Sequence, residues 1–284
     1  MQATAIRIDY GGSSRLLKLG LDETLSNEAT ILAFLRNGRL YEPDVSTVML
    51  RTLEPGDLVV DVGANIGYFT CLAASLVGPT GRVLAFEPDP ANIARLQSNL
   101  ALNGLGNVTI VPQPASDRIG EVTFFLNSDS SGGNALWDPA SFPGNLQSAR
   151  ERKPQRLQAT TLDAEIARQG GRRPKLVKID TEGAEQKVLE GAAGLLGGAA
   201  VPFVIAELHL FGLEQLSASQ ESLRGLMAAH GYETFLPCFD DALPKLIPRG
   251  TALRPKAIVN LLFATVESVG RRWPAEIADP MKSR

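Results

Sequence analysis

The sequence predicts an α/β protein built on a doubly wound, mostly parallel sheet of seven strands, preceded by an N-terminal strand and helix extension. Three observations predict it. From Gly56 onward, short apolar runs alternate with segments of helical periodicity, the pattern of repeated βαβ units. The first of these runs, Leu58–Val62, is almost wholly apolar and valine-rich, as a parallel strand covered on both faces requires. The helical segments also carry explicit punctuation: Asp89 and Pro90 open one, and Gly104 closes it.

Taken in order, Ala5–Tyr10 and Leu16–Leu19 read as short strands around a Gly11-Gly12 turn. Thr24–Asn37 carries Leu25, Ile31, Leu32 and Leu35 at helical spacing, with Gly38 as its C-cap. The alternating region then gives strand 58–62, helix 66–77, strand 83–86 and a helix with Ile93, Leu96 and Leu100 on one face. Strand 108–111 follows, then a hairpin strand at 122–126. The stretch 127–154 is rich in Ser, Gly, Asn and Pro, with Trp137 and Phe142 as its large aromatics. A loop of that length is either a surface excursion or a functional cover over a substrate. Alternation resumes with strand 176–179, helix 184–196, strand 203–208, helix 221–230, strand 233–236 and a final strand 258–264. Lys245, Arg249, Arg254 and Lys256, interspersed with prolines, read as a solvated loop. The implied organisation is an extension over 1–50, one α/β domain over 51–270 with an inserted loop at 127–156, and a tail over 271–284. In such sheets ligands sit outside the carboxyl ends of the strands, so the residues that follow each strand are the ones to search.

Composition narrows the function. Of 284 residues, 28 are Lys or Arg and 31 Asp or Glu, a net charge of −3, which argues against a nucleic-acid backbone as the main partner. No apolar run is long enough to span a membrane, and Met1–Gly12 has no apolar core of a secretory signal, so a cytoplasmic location is expected. Two cysteines can form neither a disulfide framework nor a four-thiolate zinc site, and no His adjoins either one.

At the end of the first alternating strand stands Asp61-Val62-Gly63-Ala64-Asn65-Ile66-Gly67, a glycine loop that aims a helix N-terminus at a ligand. It is not the dinucleotide G-x-G-x-x-G, because Asn65 fills the second glycine position. Glu87 closes the next strand, where a carboxylate can accept two ribose hydroxyls. The loop resembles the D-x-G-x-x-x-G loop of class I S-adenosylmethionine methyltransferases. A narrower resemblance lies in Lys178-Ile179-Asp180-Thr181-Glu182-Gly183-Ala184-Glu185 and Val188-Leu189-Glu190-Gly191-Ala192, which are similar to the K-I-D-x-E-G-x-E…L-x-G-A signature of the FkbM family. Tyr41-Glu42-Pro43, Pro55-Gly56-Asp57, Phe86-Glu87-Pro88, Ala115-Ser116-Asp117 and Asn260-Leu261-Leu262-Phe263 agree with it, so the resemblance spans about 41–264.

The resemblance implies a Rossmann-like methyltransferase fold, S-adenosylmethionine as cofactor, and methyl transfer to a hydroxyl of a sugar or glycan, a glycolipid or a secondary metabolite. Cofactor contacts are then expected at Asp61 (beside the cofactor's amine), Gly63, Ala64, Asn65, Gly67, Glu87, Ala115, Ser116 and Tyr41. An alcohol acceptor must lose a proton during transfer, which needs a base in reach. His209 lies just past the fifth strand, and Asp180, Glu182 and Glu207 form an acidic cluster near the expected acceptor. A carboxylate could orient His209 as the base; the cluster could hold a divalent cation; or the acids could grip sugar hydroxyls or cap the next helix. The expectation adopted is catalysis by Asp180, His209, Glu182 and Glu207 with no metal. The expected partner is a small-molecule or glycan acceptor, with no nucleic acid and no membrane span. N-methylation and a non-catalytic cofactor-binding subunit are the alternatives.

Overall fold

The computed structural model describes residues 2–10, 13–239, 242–255 and 257–274. The expected Gly11-Gly12 turn, Lys256 and most of the 271–284 tail lie outside them. The chain opens with an antiparallel hairpin of β1 (Gln2–Tyr10) and β2 (Ser13–Leu21). Alternation along it sends Ile6, Ile8, Leu17, Leu19 and Leu21 inward, all nearly inaccessible, while Leu16 faces water. Two helices follow, α1 (Ser26–Arg36) and α2 (Pro43–Thr52).

The central domain is a sheet with helices on both faces. Its elements run β3 (Leu58–Val62), α3 (Tyr68–Val77), β4 (Arg82–Phe86), α4 (Pro90–Leu102) and β5 (Val108–Val111). An insertion follows, made of β6 (Gly120–Leu126), α5 (Leu146–Arg150) and β7 (Lys153–Ala159). The chain then returns through α6 (Leu162–Arg168), β8 (Leu176–Ile179), α7 (Glu185–Glu190), α8 (Ala193–Leu196), β9 (Phe203–Leu208), α9 (Leu210–Gln215) and α10 (Gln220–Ala229). It closes with β10 (Glu233–Leu236), β11 (Lys245–Ile247), β12 (Val259–Ala264) and α11 (Val266–Arg272).

The strand order is β11-β10-β12-β9-β8-β3-β4-β5. β3, β4, β5, β8 and β9 pair in parallel, and β12 runs antiparallel between β9 and β10. The seven expected strands are therefore present. An eighth, β11, extends the edge, so Lys245 belongs to a strand rather than to the solvated loop read from its prolines. Nor is the N-terminal extension peripheral. β2 is stitched to α4: Asn99 Oδ1 accepts the Gly20 N–H at 2.8 Å, and Asn103 bonds both backbone groups of Lys18. The hairpin seals one face of the domain beside α3 and α4.

The long 127–156 segment is a built structure. β7 returns alongside β6 in a separate two-stranded sheet, with Leu126 opposite Lys153. Its proline and basic residues hide the strand signal in the sequence. Between the two strands Trp137 is buried, stacks on His209 at 5.9 Å and meets Phe211 edge-on at 5.4 Å. Its indole N–H donates to the Glu182 carbonyl.

Because the chain runs from β3 outward to β4 and β5 and then returns to β8 on the other side, β3 and β8 flank the switch point of the sheet. There the two loops cross in contact. Gly63 has φ +77°, and a Cβ on it would stand 1.8 Å from the Asp180 carbonyl oxygen. Both the left-handed backbone and the crossing demand glycine. Gly63→Ala should lower the melting temperature by roughly 10 °C or more. Gly104→Ala, also at positive φ but with nothing within 4 Å, should cost only about 1 kcal/mol. Thermal unfolding by circular dichroism checks the contrast.

Candidate active site

Two cavities open at this switch point and share Gly63, Asn65, Gly132 and Asp180 as walls. The first runs toward β4 and β5. Glu87, at the end of β4, is almost fully buried there. One carboxylate oxygen accepts the Asn65 N–H at 2.8 Å; the other accepts the Asp89 N–H at 2.8 Å and the Asn92 side-chain amide at 3.4 Å. Burial pushes its carboxyl up to about 7, against the pull of these donors. Asn65 supports the arrangement in a left-handed conformation (φ +50°) that Asn tolerates better than most residues. The far walls are Gln113, Pro114 and Ala115 after β5, and Asn134, Ala135 and Leu136 from the insertion. Asn134 is tied across the cavity to Asp89 at 3.1 Å. A slot of mixed lining that ends in a rigidly held carboxylate suits a nucleoside, because the Glu87 oxygen that accepts only the Asn65 N–H keeps a lone pair for a hydroxyl.

The second cavity lies over β8 and β9 and is strongly acidic. Asp180, Glu182 and Glu207 each offer a carboxylate oxygen, all within 4.8 Å of one another, and Glu42 joins the walls from the start of α2. A spacing this tight can abstract a proton, grip hydroxyls or hold a hard divalent cation. Burial, then repulsion from the neighbouring acids, lifts Glu182 and Glu207 well above the usual carboxylate range. Burial also raises Glu42 to about 7. One oxygen of Glu207 is buried without a hydrogen-bond partner.

One cation holds the cluster together. Lys178, nearly inaccessible on β8, places its ammonium 3.0 Å from Asp180 and 3.6 Å from Asp61, over the Phe69 ring at 4.8 Å. Burial opposes its charge, but Asp180, Asp61 and Glu42 outweigh that and hold it above the ordinary lysine value. Asp61 and Lys178 are register partners on adjacent strands, so both side chains project to the same face of the sheet.

This geometry corrects several expectations. Asp61 lines neither cavity: its other oxygen accepts the Thr70 hydroxyl at 2.5 Å, and it acts beneath the site by holding Lys178. Gly67 is a packing residue, since a Cβ there would stand 2.3 Å from Leu96 Cδ1. Ser116 is buried and bonds Asp117 and the Thr160 backbone rather than facing a ligand. Gly63, Ala64, Asn65, Glu87, Ala115 and Tyr41 do line the cavities, with Ala64 and Tyr41 on the acidic one. His209 is engaged on both nitrogens. Nδ1 accepts the Gly212 N–H at 2.8 Å, capping α9, and Nε2 lies 3.5 Å from Glu182. With Nδ1 an acceptor, the neutral ring carries its proton on Nε2, and burial keeps it neutral. It thus positions Glu182 and has no nitrogen free to take a proton from an acceptor. Sequence reasoning passed over Lys178 and Glu42 as site residues although both lie inside the quoted motifs. It also passed over the insertion's Asn134–Leu136, which no local pattern marks.

Comparison with known proteins gives a consistent result. The profile described as the methyltransferase FkbM domain matches residues 61–234. Hexuronic acid methyltransferase AglP of Haloferax volcanii is 30% identical over 169 residues, 59% of this chain and 62% of that protein. 31-O-demethyl-FK506 methyltransferase FkbM of Streptomyces tacrolimicus is 27% identical over 201 residues, 63% of this chain and 74% of that protein. AglP and methyltransferase sdnD of Sordaria araneosa are each matched over about three-fifths of their length. Among solved structures, a methyltransferase FkbM from Methylobacillus flagellatus KT aligns with a TM-score of 0.44 at 17% identity, covering 86% of this chain and 55% of that one. No helix among the described residues is long and apolar enough to cross a membrane.

The buried acids make stability depend on pH in an unusual direction. Glu42, Glu87 and Glu185 are each raised by burial from 4.5 to about 7. Their protonation is therefore favoured in the folded state: the stability it brings is full below about 4.5 and lost as pH rises through about 7. His209, lowered by burial, works against them near neutral pH, and the lowered carboxyls of Asp22, Glu54, Asp117 and Asp129 do so only in more acid solution. The protein without added ligand should melt higher at pH 5.5 than at pH 8, and Glu185→Gln should flatten that slope. A melting temperature that falls steadily from pH 8 to 5.5 sinks the assignment.

Proposed function

The chain belongs to the FkbM methyltransferase family, and on that premise we propose that it moves a methyl group to a hydroxyl of a glycan or small natural product. S-adenosylmethionine is the cofactor. Glu87 would hold its ribose hydroxyls, the Gly63–Asn65 backbone its amino-acid end, and Ala115 with the insertion its base. When bound, it supplies a methyl group on a sulfonium, already activated for transfer.

The chain's own residues then have two tasks. The first is to hold an acceptor oxygen in line across the wall shared by the two cavities, and positioning alone contributes several kcal/mol to such a reaction. The second is to remove the hydroxyl proton. The observation that carries the reading is the Asp180, Glu182 and Glu207 cluster at the inner edge of the acidic cavity. Glu182 and Glu207, raised above ordinary carboxylates, are stronger bases once ionised. Asp180 is held to Lys178 and shapes the cluster, and His209 fixes Glu182. The backbone at Glu182, with φ +56°, stores strain of the kind found at working sites.

Glu87→Gln should weaken S-adenosylmethionine binding roughly tenfold to a hundredfold, since a charged hydrogen bond is lost. Isothermal titration calorimetry reads this, and unchanged affinity removes Glu87 from the cofactor site. With an acceptor in hand, Glu182→Gln and Glu207→Gln should each lower kcat by about 10²–10⁴ while cofactor affinity stays within a few-fold. For the wild type, kcat should fall as pH drops while still above the ordinary carboxylate range, because the base must be ionised. A kcat that holds level down to pH 5 would exclude the carboxylates as base.

A further inference from the structure

The insertion meets the site along residues 134–137, and this run touches both halves of it. Asn134, Ala135 and Leu136 wall the first cavity, and so do Asp180, Thr181 and Ala184 from the loop after β8. The residue that follows each segment closes the pair. Trp137, after Leu136, donates its indole N–H to the carbonyl of Glu182, after Thr181. Trp137 itself lines neither cavity. Its partner is held in an unfavourable shape: Glu182 has φ +56°, which a residue with a side chain keeps only where its surroundings impose it. Three groups impose it here. The wholly buried Glu185 accepts the N–H groups of Thr181 and Gly183, on either side of Glu182, at 3.0 Å each. Gly212 packs so closely that a Cβ on it would stand 2.3 Å from the Glu182 carbonyl oxygen. Trp137 supplies that oxygen with its donor. The indole also stacks on His209 at 5.9 Å, and His209 Nε2 lies 3.5 Å from the Glu182 carboxylate. Trp137 therefore acts on Glu182 twice, at the backbone and, through His209, at the carboxylate.

We propose, resting on the reading above that puts the cofactor in the first cavity and a catalytic base at Glu182, that Trp137 is a positioning residue locked in place by the bound cofactor. Its indole N–H sets the Glu182 backbone, and filling the first cavity strengthens that bond. Glu185 and Gly212 belong to the central domain, whereas Trp137 comes from the insertion, whose two strands form a sheet of their own. The insertion is tied to the first cavity by the Asn134 bond to Asp89 at 3.1 Å, and Ala135 pairs with the backbone of Phe125. A ligand in that cavity rests on residues 134–136 and on Asp180 and Thr181 at once. It therefore favours the state in which the two segments are joined, and the Trp137–Glu182 bond is the join. The catalytic base is thus aimed on the loaded enzyme before an acceptor arrives.

The test uses the two tryptophans of the chain. Trp273, buried beside Arg51 just after α11, is the internal reference. The full chain is labelled with 15N-tryptophan, and exchange of each indole N–H with D2O is followed by NMR, with and without saturating S-adenosylhomocysteine. Whichever of Trp137→Phe and Trp273→Phe folds assigns both signals. S-adenosylhomocysteine should slow exchange at Trp137 about tenfold more than at Trp273, a ratio from which any gain in global stability cancels. Trp137→Phe keeps an aromatic ring and loses the donor. By linkage it should weaken S-adenosylhomocysteine by about the same factor in calorimetry, although residue 137 lies outside the cavity wall. An unchanged exchange ratio overturns the proposal. So does a Trp137→Phe variant that binds S-adenosylhomocysteine as the wild type does, because Trp137 then only fills space. Failure of S-adenosylhomocysteine to bind the folded wild type overturns the cofactor reading itself, and this proposal with it.

Discussion

The ammonium of Lys178 is the point on which the site depends. Four carboxylates converge where β3, β8 and β9 end, and without a positive charge at their centre such a group would repel itself apart in a medium that screens poorly. Lys178 is buried, reaches Asp180 and Asp61, and lies over the Phe69 ring. The arrangement follows from the sheet. Asp61 opposes Lys178 in the register of β3 and β8, and alternation sends both to the face covered by α3. From there the ammonium steadies Asp180, while Glu182, held by His209, and Glu207 stand beside it at raised basicity.

The first cavity was largely legible in the sequence because its signals are local. A buried strand, a glycine loop and an acid closing the next strand stand close together, and they led to Gly63, Asn65 and Glu87 without knowledge of the fold. The errors came where a side chain's direction decided its role. Asp61 has the right position in the loop, yet the two-residue period of β3 turns it under the sheet toward Thr70. His209 follows a strand at the active edge, but its Nδ1 is taken by the N–H of Gly212 three residues on. A capping histidine and a catalytic one look alike until the next helix is located.

The acidic cavity and the groove beside it were less legible, since they are assembled from afar. Glu42 arrives from the start of α2, Glu207 from β9, and Phe239 and Ile258 from the connections around β10 and β12. No periodicity links these positions. The insertion posed a related difficulty: a strand that contains Pro154 and four basic or amide side chains does not look like one, and its pairing with β6 is a long-range contact that no local pattern marks.

That pairing has a further consequence. Leu126 and Lys153 are register partners, so everything between them departs from the domain and rejoins it at one place. Residues can be gained or lost there without shifting the central sheet, and closing a longer excursion costs little extra entropy. The same excursion carries Asn134 to the cavity beside Glu87 and Trp137 to the backbone of Glu182. A descendant that lengthens or trims it alters the walls of both cavities in one event. The shapes of the two cavities are therefore heritable as a linked trait, and an engineer who transplants this excursion to change one should expect to change the other.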